Sequence, residues 1–222
     1  MSLPLVIFAA VFGGAAAAFL PRIAHRLAVP FGDSPRPACP LCGAGWVKVG
    51  AFCRCSRPYV VTVLTGALVA ALLAAALGPS PVLPFFLLAA VAGLLLALVD
   101  RRCLRLPDPI VATFAALTIV PLATTQPHRI GPALGAGGLV LTAYLIVALL
   151  PGRGLGLGDV KLAAVLATAL GFAGWPAVFV GLVVPHLING PIGLVLLLTR
   201  RARPLPFGPA LLVGALLAVT AT

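Results

Sequence analysis

Four carboxylates and five thiols carry most of the chemistry open to this sequence. The acids are Asp33, Asp100, Asp108 and Asp159, with no Glu anywhere, against 15 Lys+Arg. Two carboxylates that share a site can divide one proton between them, so that one serves as general base and the other as general acid. Clustered thiolates instead suit a soft, tetrahedral metal. The three histidines, His25, His128 and His186, are not spaced as a metal set or a triad, and no Ser/His pair supports nucleophilic hydrolysis.

The elements that must position these groups are membrane helices. Of 222 residues, 62% are hydrophobic and only 9% charged, which excludes a soluble domain, a disordered chain and a disulfide scaffold. A helix crossing a ~30 Å hydrocarbon core needs roughly 20 residues. Gly/Pro-rich and charged breaks divide the chain into eight such spans, near 2–20, 59–77, 82–99, 109–126, 132–150, 160–175, 177–199 and 208–222. The expected fold is therefore all-α, a polytopic membrane helix bundle of about eight transmembrane helices. Its organisation is a first transmembrane helix at 1–20, a small Cys-containing cytoplasmic loop at 21–58, and a transmembrane core of about seven helices at 59–222.

Charge gives an independent test, because basic residues collect in cytoplasmic loops. The loops 21–58, 100–108, 151–161 and 200–207 hold every Lys and Arg except Arg129. They alternate with poorly charged loops, as eight crossings require, and this puts both termini outside. The net charge of +11 is thus a topology signal, and no nucleic-acid partner is expected. A cleaved secretory signal would place a basic residue before its apolar run, whereas here the basic segment follows residues 1–20.

All four acids lie in the basic loops or at their rims. A transporter would need more intramembrane polarity than His186 and Asn189 provide, so the chemistry belongs at the cytoplasmic face. Asp33, in Phe-Gly-Asp-Ser-Pro, has a turn composition. Asp108 precedes Pro109 and reads as the N-cap of the fourth span. Asp159 could cap the sixth, but Asp100 closes the third span at the helix end where the macrodipole disfavours an anion. Spans four and five carry the chain out and back, so Asp100 and Asp159 return to the same membrane edge. Such a pair does not ionise twice readily and could activate water against a peptide carbonyl. Gly152, Gly154, Gly156 and Gly158 would admit close backbone approach. Lys161, two residues beyond Asp159, is off its helix face and could equally snorkel to the interface.

Cys39-x-x-Cys42 and Cys53-x-Cys55 place four thiols in one short loop on the reducing side of the membrane, a plausible structural zinc site. The second pair is one residue shorter than the familiar Cys-x-x-Cys. Cys103 stands apart.

These residues together resemble the prepilin peptidases, intramembrane aspartic peptidases of the Gly-x-Gly-Asp type. Gly156-Leu157-Gly158-Asp159-Val160-Lys161-Leu162 is similar to that family's second catalytic motif, and Asp100 followed by Leu106-Pro107-Asp108 is similar to its first. Arg200-Arg201 with Leu205-Pro206-Phe207-Gly208-Pro209 resembles a later signature, and Ser34-Pro35-Arg36-Pro37-Ala38-Cys39-Pro40-Leu41-Cys42 the start of the cysteine loop. The resemblance implies a catalytic dyad of Asp100 and Asp159, with Asp108, Gly156, Gly158 and Lys161 in support. The implied substrate is a type IV prepilin or pseudopilin, cut of its short basic leader at the inner (cytoplasmic) membrane of a bacterial cell. No cofactor is required for the hydrolysis. Members of the family often also methylate the product from S-adenosylmethionine. Here only ten residues, Gly43 to Phe52, separate the cysteine pairs, and no Gly-rich cofactor fingerprint exists, both of which count against methyl transfer. The alternatives on the same fold are a multi-pass transporter and a non-catalytic pilus or secretion assembly scaffold. A metal-dependent membrane transferase would want more clustered acids than Asp100 and Asp108 supply.

Overall fold

A computed structural model of the chain describes residues 2–29, 33–39, 43, 59–150, 155–199 and 205–221. The described residues are helical: α1 (Leu3–Ala17), α2 (Leu20–Leu27), α3 (Tyr59–Leu77), α4 (Leu83–Cys103), α5 (Asp108–Thr125), α6 (Ile130–Leu149), α7 (Leu157–Gly171), α8 (Trp175–Leu198) and α9 (Gly208–Ala221). Six segments are long and apolar enough to cross a bilayer; α9 is apolar but shorter. With α7, these match the eight expected spans one for one. This is a multi-pass membrane protein. The short helix α2 continues directly from the first span into the segment read as loop.

Chain contacts divide the molecule into two compact units, Met1–Pro107 and Asp108–Thr222. In the first unit, α1 carries two different faces. Leu3, Ile7, Phe8 and Val11 are exposed, whereas Ala9, Gly13, Gly14 and Ala17 are buried. Between helices in lipid the hydrophobic effect supplies little attraction, so close backbone packing of small residues must supply it. The 9-13-17 spacing does this: a Cβ added at Gly66 of α3 would lie 2.6 Å from the Gly13 carbonyl oxygen, closer than any side chain tolerates. The amphipathic α2 lays Leu20 and Ala24 against Leu98 and Val99 of α4. Arg102 of α4 fastens the contact by donating to the Pro21 carbonyl at 2.9 Å.

In the second unit α7 is the central element, packed by α5, α6, α8 and α9. Its burial on several faces explains its composition: Val160, Leu162, Ala163, Leu166, Ala167 and Leu170 are all buried. Small residues again set the spacing. Ala133, Ala136 and Gly137 of α6 are buried, with Gly137 against Thr168 and Gly171 against the Ala133 backbone. On α9, a Cβ at Gly214 would lie 2.7 Å from the Gly181 carbonyl oxygen and 2.7 Å from Pro185 Cδ on α8. Arg129, the one base outside the basic loops, donates to the Phe172 carbonyl at 2.6 Å and so satisfies the C-terminal end of α7. Helix α5 carries an internal Pro121, and Thr125 donates to the Pro121 carbonyl at 2.8 Å.

Candidate active site

The two helix ends that carry the acids differ from their expected boundaries. Helix α4 does not stop at residue 99 but runs to Cys103, so Asp100 stands inside its last turn. Leu104 ends the helix in the left-handed region, φ 52°, with its N–H donating to the Asp100 carbonyl at 2.8 Å. A non-glycine residue there is strained by about 1–2 kcal/mol. The turn holds Asp100 at only 3% exposure. A carboxylate buried at the negative end of a helix is doubly disfavoured in its ionised form, by desolvation and by the dipole. Arg101 follows it on the exposed side of the turn.

Asp159 has the opposite electrostatic setting. Helix α7 begins at Leu157, three residues before the span boundary read at 160, with extended Gly156 as its N-cap. Asp159 thus falls in the first turn, where the unsatisfied N–H groups and the positive dipole end favour an anion. Its carboxylate folds back toward the cap: a Cβ on Gly156 would lie 3.3 Å from Asp159 Oδ2. The side chain is partly buried, with Oδ1 enclosed. Gly158 lies in the same turn, whereas Gly152 and Gly154 lie outside the described residues. The two acids therefore occupy dissimilar environments, one deep at a helix C-terminus and one at an N-terminus.

The second-unit motifs are joined by an ion pair. Lys161 Nζ stands 2.8 Å from Asp108 Oδ1, connecting the first turn of α7 to the first residue of α5. Both side chains are more than half exposed, so the pair contributes at most about 1 kcal/mol. Its value is geometric, tethering the helix start that bears Asp159. Sequence spacing showed that Lys161 could not share a face with Asp159 but held no sign of its actual partner, 53 positions upstream.

One further residue was missed. Tyr144 of α6 forms an aromatic cluster with His186 of α8, centroids 6.0 Å apart, and with Phe207 ahead of α9, at 6.5 Å. His186 and Phe207 are themselves 5.4 Å apart. A single Tyr in the apolar run Leu-Thr-Ala-Tyr-Leu was the available signal. His186 bonds within its helix: Nδ1 donates to the Leu182 carbonyl at 2.7 Å. Asn189 reaches the Pro206 carbonyl at 3.4 Å, tying α8 to the Leu-Pro-Phe-Gly-Pro segment.

Of the four candidate zinc ligands, Cys39 is buried, while Cys42, Cys53 and Cys55 lie outside the described residues. Asp33 is exposed, in keeping with a turn residue.

Residues 93–198 match the model of the type IV leader peptidase family. This segment belongs to that family. It covers nearly half of the chain and contains Asp100, Asp108, Asp159 and Lys161, the residues on which the motif resemblance rests. No curated protein and no solved structure matches the chain.

Proposed function

We propose that the protein is an aspartic endopeptidase of the inner membrane that removes the basic leader of a type IV prepilin or pseudopilin, with Asp100 and Asp159 activating a water. The observation that carries this reading is the family match, whose span includes both acids, each in the terminal turn of a helix. The chemistry follows from their settings. Asp100, buried in the last turn of α4, is suited to hold the shared proton and polarise the scissile carbonyl. Asp159, favoured as an anion by its helix start, is suited to take a proton from the attacking water. That water adds to the peptide carbon, the C–N bond breaks, and the departing amine leaves with a proton from the dyad. Helix α7 supports a site at the membrane edge: its 15 residues give a length of about 22 Å, short of a full bilayer core.

In the same reading the basic loops face the cytoplasm, where a leader joins its membrane helix, and both termini face out. Cys39, Cys42, Cys53 and Cys55 would hold a structural zinc that stiffens the loop and takes no part in hydrolysis. The buried position of Cys39 suits a closed, four-thiolate site.

The test is direct. Purified protein incubated with a prepilin in detergent releases the leader, read as a mobility shift and an intact-mass change. An uncut prepilin with well-folded protein overturns the proposal.

Gly156 offers a finer test. Its backbone, φ −76° and ψ 144°, suits any residue, so Gly156→Ala leaves the fold intact. The new methyl would press on Asp159 Oδ2 and displace it by a few tenths of an ångström. Turnover is expected to fall about three- to tenfold, given that an ångström of misplacement can cost a hundredfold. Thermal unfolding separates this loss from the small cost of alanine at an N-cap.

A further inference from the structure

We propose that Asp108 is a specificity-determining residue, its carboxylate seating a basic side chain of the substrate's leader beside the start of α7. This deepens the peptidase reading and rests on it.

The first observation is an electrostatic mismatch. The basic loops hold every Lys and Arg except Arg129, so a cationic leader approaches a face of its own sign. A local carboxylate must offset that repulsion. The unit that bears Asp159 has two acids, Asp108 and Asp159 itself. Asp159 is partly buried, with Oδ1 enclosed, and the proposed hydrolysis occupies it. Asp108 is the one open to an arriving cation, its side chain 68% exposed. Asp33, also exposed, belongs to the other unit.

The second observation is that the carboxylate already seats an ammonium. Lys161 Nζ donates to Asp108 Oδ1 at 2.8 Å. A leader lysine carries the same group and can be held in the same way, on the second carboxylate oxygen or in place of Lys161. Because both partners are more than half exposed, their pairing is close to break-even, and admitting another cation costs little. Lys161 therefore marks the seat without closing it.

The third is placement. Asp108 is the first residue of α5, so its backbone is held by a helix. Lys161 follows Asp159 by two residues at the start of α7, which puts the seat within one lysine side chain of the helix start that bears Asp159. An extended peptide advances roughly 3.3–3.6 Å per residue, so a leader cation held on Asp108 leaves a few residues to reach the scissile bond. A short leader suits that span.

The test compares two prepilins, one with its basic leader and one with each leader Lys and Arg replaced by Gln. The readout is the ratio of kcat/KM for the basic over the neutral leader, from which any general loss of folding or chemistry cancels. Asp108→Asn is expected to lower this ratio about two- to fivefold, the size of an exposed ion pair. Lys161→Gln breaks the same pair but keeps the carboxylate and removes a competing cation, so the ratio holds or rises. A merely structural pair predicts that both variants move the ratio alike or not at all, and either result overturns the proposal. So does a ratio that is lost in Asp33→Asn and kept in Asp108→Asn. In each of these cases cleavage by the wild type leaves the peptidase reading standing, whereas a wild type that cuts neither prepilin overturns both. If Asp108→Asn does not accumulate, Lys161→Glu decides, because it adds an acid beside an intact Asp108. Its ratio should rise about two- to fivefold. A ratio at or below that of the wild type overturns the proposal.

Discussion

Asp100→Asn and Asp159→Asn each abolish leader cleavage, with turnover falling roughly a thousandfold or more, as expected for loss of general acid or base. Both substitutions keep side-chain volume, so the loss belongs to proton chemistry. Their effects on stability should differ. Asp100 is 3% exposed in the last turn of α4, where an anion is opposed by burial and by the dipole. Asp159 sits in the first turn of α7, so its conversion forfeits about 0.3–1 kcal/mol of dipole interaction. Cleavage of a co-expressed prepilin, read beside thermal unfolding in detergent, separates the two quantities. Full cleavage by either variant would sink the dyad, and tolerance of both would favour a scaffold or transporter on this fold.

Gly171→Val destabilises the second unit by about 3 kcal/mol, a fall in Tm of roughly 5–10 °C. Gly171 closes α7, and a Cβ there would stand 2.7 Å from Ala133 Cα and 3.3 Å from the Ala133 carbonyl oxygen. Those are backbone atoms of α6 and cannot turn aside, so the helices must separate. Each loses the close packing that stands in for a hydrophobic driving force in lipid. Gly138, one position beyond the buried Gly137, has nothing within 4 Å of an added Cβ. Gly138→Ala on that open face should be neutral or stabilising by up to about 1 kcal/mol, from helix propensity alone. Equal melting temperatures for the two variants would contradict the α6–α7 packing. Because α7 bears Asp159, loss of cleavage by Gly171→Val should follow its loss of folded protein.

Much of this was legible without coordinates. Leucine-, valine- and alanine-rich runs of span length can bury their backbone polarity in a bilayer only as helices, so eight apolar segments implied eight helices. Asp108 falls at a span end as well, so it is the resemblance of their flanking motifs to one family that marks Asp100 and Asp159 as the candidates among the four acids. The helix ends were less legible. The run to Cys103 depends on Leu104 accepting a left-handed conformation, and the start at Leu157 on Gly156 adopting an extended cap. Neither choice has a hydropathy signature.

Hydrophobic periodicity and charge by themselves determined the spans, the all-helical class and the candidate acids, since these properties are read one residue or one helical turn at a time. Tertiary structure alone decided who stands beside whom: Lys161 with Asp108 across 53 positions, Gly171 against the backbone of Ala133, and Tyr144 between His186 and Phe207. In helices that are apolar on every side, composition does not say which face meets protein and which meets lipid. That choice falls to the few small residues that let two backbones touch.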